Sequence, residues 1–240
     1  MASSATDLTS RLLRRERWLL AGAIFLLAAL GWTYLIGAQD MASMHPPLPA
    51  LVLMWFVMMV AMMLPSAIPA ILLYAQVRRA RGADAAMVQP WVFLAGYLGV
   101  WLLFSSVAAL VEWALESASA RFEDPGLQGV LLLAAGAYQL SPLKSACANQ
   151  CRSPAQFISR HWRSGWTGAV RLGMLHGAYC VGCCWLLMAL LFVGGVMNLL
   201  WVVGLTILVA GEKLLPNGKA IQIGSGIALI LWGGAKFAGF

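Results

Sequence analysis

The residues best suited to chemistry form one short run inside an apolar stretch. His176, Cys180, Cys183 and Cys184 fall within nine residues, although the whole chain has only five cysteines and three histidines. An α-helix turns about 100° per residue, which places these four side chains within an arc of about 100° on one face. Thiol and imidazole groups bind transition metals, and thiols also carry redox chemistry. The spacing therefore indicates metal ligands or redox groups.

One helix does not complete such a site. His176 and Cys183 are roughly 10 Å apart along the helix axis, too far for one small ion to contact all four groups. Cys180 could share an ion with Cys183 or Cys184, or with His176, and other helices would supply the remaining ligands. The alternative is packing, because cysteine is small and common in protein cores.

A second thiol pair, Cys147 and Cys151, lies in the polar and basic segment 143–167. Residues four apart are neighbours on one helical face. Lys144 and Arg152 are expected to favour the thiolate forms, which suits metal capture or redox reactivity. The spacing does not make a zinc site, because two further ligands are missing locally. A pair without a role stays open as the alternative.

Five methionines occupy ten residues of another apolar run. Met54, Met58 and Met62 form one stripe at helical spacing, whereas Met59 and Met63 lie on a different face. Thioether sulfur is a soft donor and, together with thiolate, selects Cu(I) over hard cations. Methionine also packs well between helices, which is the alternative interpretation.

The composition indicates which kind of secondary structure and which solvent surround these residues. The 240-residue chain is 61% hydrophobic and 10% charged, with a mean hydropathy of +0.80. Soluble domains carry about 25% charged residues. So few charges do not cover a globule with polar surface, so lipid must be the main solvent. We predict an all-α, polytopic transmembrane helical bundle that forms one domain over residues 1–240.

The apolar runs predict about seven membrane-spanning helices. The second span is expected to kink or break near Pro65 and Pro69. The first run is longer than a typical signal-peptide core, which favours a retained helix over a cleaved signal. The predicted spans are 18–36, 51–74, 91–115, 127–140, 169–192, 196–215 and 221–237.

Charge distribution predicts the orientation. With the amino terminus in the cytoplasm, fourteen of the sixteen Lys and Arg residues lie on the inner side. This asymmetry follows the positive-inside rule. Residues 1–17 then form a cytoplasmic basic tail, and 143–167 a cytoplasmic surface segment. We interpret Glu212 and Lys213 as a self-neutralising pair at the inner end of the sixth span, with Lys213 extended to the interface. A role in tuning a site is the alternative.

Four runs of the sequence resemble a known family. They are residues 54–65, 138–154, 177–188 and 195–213. This combination is similar to a bacterial family of predicted metal-binding integral membrane proteins, a domain of unknown function, and covers about residues 50–220. The resemblance implies a helical membrane protein with a suspected metal site, and it supplies no substrate. It also implies that the methionine run, both cysteine clusters and Glu212-Lys213 belong to one design.

The leading hypothesis is a multi-pass protein of the bacterial cytoplasmic (inner) membrane that binds a soft transition metal, with Cu(I) favoured. It would serve metal transport, delivery or cofactor assembly. Its partners would be the lipid bilayer and a metallochaperone or membrane complex, not nucleic acid. Cys147 and Cys151 would receive or release the ion at the inner face, with His176 as an auxiliary ligand. The proposed ligands within the bundle are Met54, Met58, Met62, Cys180, Cys183 and Cys184.

Two alternatives remain open. One is a membrane thiol oxidoreductase that uses Cys180 and Cys183 with a quinone or haem, although a disulfide between these positions of a regular helix is strained. The other is a helical scaffold in a membrane complex. The sequence shows no phosphate-binding glycine loop, no serine–histidine–acid set and no paired carboxylates. No catalytic residue is proposed, and whether the protein is an enzyme stays undecided.

Overall fold

The described residues of the computed structural model are helical apart from short connections. They comprise 2–37, 46–81, 88–117, 124–196 and 198–237, and no strand occurs among them. The all-α prediction is confirmed for this part of the chain. The helices are α1 Ala2–Gly37, α2 Leu48–Ala80, α3 Gln89–Ser117, α4 Pro125–Leu140, α5 Pro142–Arg152, α6 Pro154–His161, α7 Gly165–Ala189, α8 Leu191–Gly194, α9 Leu199–Leu214 and α10 Gly218–Phe237.

Five stretches of helix are long and apolar enough to cross a membrane. Two other predicted spans, α4 and α9, have 16 residues each. Such a helix is about 24 Å long, shorter than a hydrocarbon core of about 30 Å. The count of seven and the cytoplasmic amino terminus stay predictions. The five stretches are Trp18–Gly37, Leu48–Ala80, Gln89–Leu115, Gly165–Gly194 and Gly218–Phe237.

Helix α2 runs continuously through Pro65 and Pro69, so the predicted break is wrong and the predicted kink stays a prediction. A proline removes one backbone hydrogen bond, but packed neighbouring helices hold such a helix together in a membrane protein. Buried residues recur along the whole of α2, and α1 and α3 pack against it. The methionine run therefore lies on one continuous central helix.

Close backbone contact joins α7 to α3. A Cβ atom on Gly173 would lie 2.0 Å from the carbonyl oxygen of Phe93, and one on Gly177 would lie 3.0 Å from Cβ of Val100. Glycines four apart remove these clashes and let two helices approach closely. The approach brings Tyr97 of α3 beside the cysteines of α7.

The segment 143–167 is part of the packed structure. It forms α5 and α6, and α5 packs along α7. Ser141 caps α5 by accepting a hydrogen bond from the backbone N–H of Lys144, whose side chain is fully buried. Phe157 and Ile158 anchor α6 in the core. The segment is thus helical over α5 and α6, and its cytoplasmic location stays a prediction.

Candidate metal centre

The three cysteines of α7 lie near its middle, about 22 Å along the axis from Gly165. Cys180, Cys183 and Cys184 are each at most 3% exposed. The Cys183 and Cys184 thiols donate to the carbonyl oxygen of Cys180 at 3.1 and 2.9 Å. These bonds to the preceding turn hold the three side chains on the inward face of α7.

Helix α2 contributes a methionine outside the stripe that the spacing favoured. Met63 is fully buried, and its Sδ atom lies 3.9 Å from the Cys184 Sγ atom. The predicted stripe of Met54, Met58 and Met62 is also buried in the core. Met63 lies on the other methionine face of α2, and that face turns toward α7. The Met59/Met63 spacing was the available signal, but the sequence does not show which face meets the cysteines.

The two cysteine clusters meet in space. Helix α5 packs along α7, and the Cys151 thiol is close enough to Cys180 and Cys183 for both to influence its pKa. One turn earlier, the Cys147 Sγ atom lies 3.1 Å from where a Cβ atom on Gly182 would stand. A glycine at 182 therefore allows α5 to lie against α7. Cys147 and Cys151 are partly exposed, in contrast to the three buried thiols of α7.

The thiols of α5 are not held as thiolates. Hydrogen bonds with Cys180 and Cys183, together with burial, raise the pKa of the Cys151 thiol well above its usual value. Burial also raises the pKa of the Cys147 thiol. The expected activation by Lys144 and Arg152 is wrong, because both basic groups bind elsewhere. Both α5 thiols are therefore neutral near pH 7.

Lys213 of α9 places an ammonium group among the sulfur atoms. Its Nζ atom lies 3.0 Å from Cys180 Sγ and 3.7 Å from Met63 Sδ. The Tyr97 hydroxyl lies 3.3 Å from the same Cys180 sulfur. Lys213 is only 8% exposed. A buried ammonium requires a compensating anion, so Cys180 is the thiol best placed to be a thiolate.

Glu212 has different partners from its neighbour. Its carboxylate accepts hydrogen bonds from Lys144 Nζ and Gln139 Nε2, both at 2.7 Å. Arg152 donates to the Glu212 carbonyl oxygen at 2.7 Å. The predicted Glu212–Lys213 pair is wrong, because adjacent helical residues do not face each other. Lys144 and Lys213, both counted as inner-side charges, are buried in the bundle.

His176 lies one turn before Cys180 and is packed among aromatic side chains. Its ring is 5.3 to 5.9 Å, centroid to centroid, from the rings of Phe157, Tyr97 and Phe93. The residue is 2% exposed, and within the described part of the chain its Nδ1 atom has no hydrogen-bond partner. His176 thus lies one helical turn from the cysteines of α7, and its ligand role stays a prediction.

The arrangement favours soft sulfur coordination. The described residues contain no group of three or more His, Cys, Asp or Glu side chains that could hold a metal ion. The set that does converge combines the thiols of Cys180 and Cys184 with the thioether of Met63, around the Lys213 ammonium. Thiolate and thioether donors fit Cu(I) and leave no hard ligand for Mg²⁺ or Ca²⁺.

The described residues are helical, with five stretches long and apolar enough to cross a membrane. Sulfur atoms of α7 and α2 meet among them, which defines a candidate soft-metal protein. The model of the PpoB2 family, described as copper chaperone, matches residues 52–236, and the chain belongs to this family. No curated protein and no solved structure gives a significant match. The family match supports copper handling and is consistent with the metal-related family expected from the sequence.

Proposed function

We propose that this protein is a multi-pass protein of the bacterial cytoplasmic membrane that binds Cu(I) and delivers it to a partner protein. The copper chaperone family supports the metal and the delivery role. Five helices of sufficient length and apolarity support the membrane location. Orientation in the membrane follows the positive-inside prediction.

The observation that carries the proposal is the convergence of sulfur atoms from α7 and α2. Cys180 and Cys184 would hold Cu(I) as thiolates, and Met63 would complete the site as a thioether ligand. Cys183 and Cys151 lie next to Cys180 and could replace one of these ligands. The Met54, Met58 and Met62 stripe, the ligands first proposed from spacing, lies on the same helix and is the competing ligand set.

A graded exposure of the cysteines suggests a transfer route. Cys147 and Cys151 are partly exposed, and Cys151 contacts the buried thiols. Copper would pass from Cys147 and Cys151 to Cys180 and Cys183 by exchange of one thiol ligand for the next. The ion would then never be free in solution. Because the α5 thiols are neutral, each must lose its proton as it takes up the ion.

Conservative methionine variants test which face of α2 binds the metal. Met63→Leu removes the thioether with little change of volume, and such exchanges usually cost less than about 1.5 kcal/mol of stability. We expect the Cu(I) affinity to fall about tenfold, the loss of about 1.4 kcal/mol of binding free energy. Competition with a Cu(I) chelator under reducing conditions measures the affinity of the detergent-purified protein.

Met62→Leu is the matched control, because it makes the same change one residue away. Its affinity should equal that of the wild-type protein. The reverse result, with loss in Met62→Leu only, would assign the metal to the stripe. The Cys180→Ser/Cys184→Ser double variant should lose bound copper in elemental analysis, and full occupancy in that variant would exclude this site.

The second candidate function is thiol oxidoreduction. The position of Cys151 favours it, because Cys151 lies near Cys180 and Cys183. A disulfide between α5 and α7 would avoid the strain of a disulfide within one helix. Residue-specific mass spectrometry of thiols under oxidising and reducing conditions distinguishes the two functions. A Cys151 disulfide that forms and is reduced reversibly would support the enzyme, and thiols that never change state would exclude it.

A further inference from the structure

We propose that Lys213 is a specificity-determining residue that restricts the sulfur site to monovalent ions, Cu(I) or Ag(I), and disfavours divalent ions such as Zn(II) or Cd(II). This inference rests on the proposed function, since it requires a metal at Cys180. It concerns a residue that does not bind the metal and acts through its charge.

Geometry makes Lys213 a close neighbour of any ion in the site. Its ammonium contacts Cys180 Sγ at 3.0 Å and Met63 Sδ at 3.7 Å. An ion bound to these two sulfur atoms must therefore share their surroundings with a positive charge. The Lys213 side chain is buried. Solvent and dissolved ions therefore screen its charge only weakly.

The carboxylate next to Lys213 in sequence is paired with another lysine. Glu212 accepts hydrogen bonds from Lys144 and Gln139, each at 2.7 Å, and its ion pair among the described residues is with Lys144. The negative charge available to an incoming metal is that of the thiolates, and Lys213 already compensates one of them. A second positive charge on the ion would thus be left without a partner.

The repulsion between two charges is proportional to their product, so the ammonium repels a divalent ion twice as strongly as a monovalent one. Sulfur donors alone do not make this distinction, because thiolates bind Zn(II) as well as Cu(I). A fixed positive charge beside soft ligands supplies the missing selection against divalent metals.

The test is the ratio of Ag(I) to Cd(II) affinity in the purified, metal-free protein. Both ions are redox-inert, and competition with chelators measures each affinity. A ratio is informative because any change in thiol ionisation affects both ions. We expect Lys213→Leu and Lys213→Gln to shift the ratio toward Cd(II) by about tenfold or more. Lys213→Arg keeps the charge and should keep the wild-type preference.

Lys219→Leu is the matched control, because Lys219 is an exposed lysine on α10 and its loss should leave the ratio unchanged. Thermal unfolding shows which variants are folded, and the Gln variant replaces the Leu variant if the latter does not fold. A wild-type ratio in a folded neutral variant, or an equal shift in Lys213→Arg, would overturn the inference. Wild-type protein that binds neither ion would instead contradict the proposed function.

Discussion

Two buried lysines, Lys144 of α5 and Lys213 of α9, have different partners near the carboxyl-terminal end of α9. Lys144 donates to the Glu212 carboxylate, which Gln139 also contacts. Lys213 donates to the sulfur of Cys180 and approaches that of Met63. The first group of residues, Lys144, Glu212 and Gln139, is called here the carboxylate network. The second, Lys213, Cys180, Cys184 and Met63, is called the sulfur cluster.

The two groups of residues differ in the chemistry of their acidic side chain, a carboxylate in one and a thiol in the other. The Glu212 carboxylate is buried and lies 2.7 Å from the Lys144 ammonium, and a buried ion pair depends on both of its partners. A thiol is neutral at that pH unless a cation or a metal favours the thiolate. The thiols of the sulfur cluster can therefore take up a proton or, in the proposed function, a metal ion, whereas the Glu212 carboxylate depends on its lysine. Glu212 and Lys213 are adjacent in sequence, yet α9 directs one to each network.

The largest expected effect comes from breaking the carboxylate network. Lys144→Met leaves the Glu212 carboxylate buried without its cation, and removing one partner of a buried ion pair costs about 3–5 kcal/mol. We expect this loss in the free energy of unfolding, measured by chemical or thermal denaturation in detergent. Lys219→Met changes an exposed lysine and should leave stability unchanged. If Lys144→Met also left the free energy of unfolding unchanged, the Glu212 carboxylate would have to be solvated.

A smaller effect is expected from the sulfur cluster. In metal-free protein, Lys213→Leu should lower the free energy of unfolding by less than about 1 kcal/mol at pH 7, because the Cys180 thiolate simply takes up a proton. The same denaturation experiment measures it. A loss as large as that of Lys144→Met would give both lysines a structural role and remove the contrast.

The smallest effect concerns the reactivity of Cys147, the thiol at which the proposed transfer route begins. Burial raises the pKa of Cys147 above its usual value of 9.0. Less thiolate is then present at any given pH, so alkylation of Cys147 should be slow at neutral pH and still accelerate above pH 9.0. Residue-specific mass spectrometry measures the rate. A rate that levels off below pH 9.0 would show that the pKa of Cys147 is lowered and that this thiol is activated.

Composition and local periodicity predict the secondary structure of this protein and the helix face that its cysteines share. The composition predicts an all-helical chain with long apolar segments, and the structure has both. Helical geometry also predicts that Cys180, Cys183 and Cys184 share one face and that a single helix forms only part of a site. These inferences hold because rise and turn per residue are set by the backbone. Span length was less certain, since α4 and α9 end after 16 residues each.

The tertiary structure alone decided which surfaces meet. Spacing favoured Met54, Met58 and Met62, whereas packing turns Met63 toward the cysteines. Spacing placed Cys151 in a separate surface pair, whereas α5 lies along α7 and brings it to Cys180. The sequence suggested that Glu212 and Lys213 pair with each other, whereas each has a partner on another helix. The physical reason is that helix rotation and partner choice follow from inter-helix contacts. A local spacing such as Gly173 and Gly177 permits a close approach but does not specify which helix approaches.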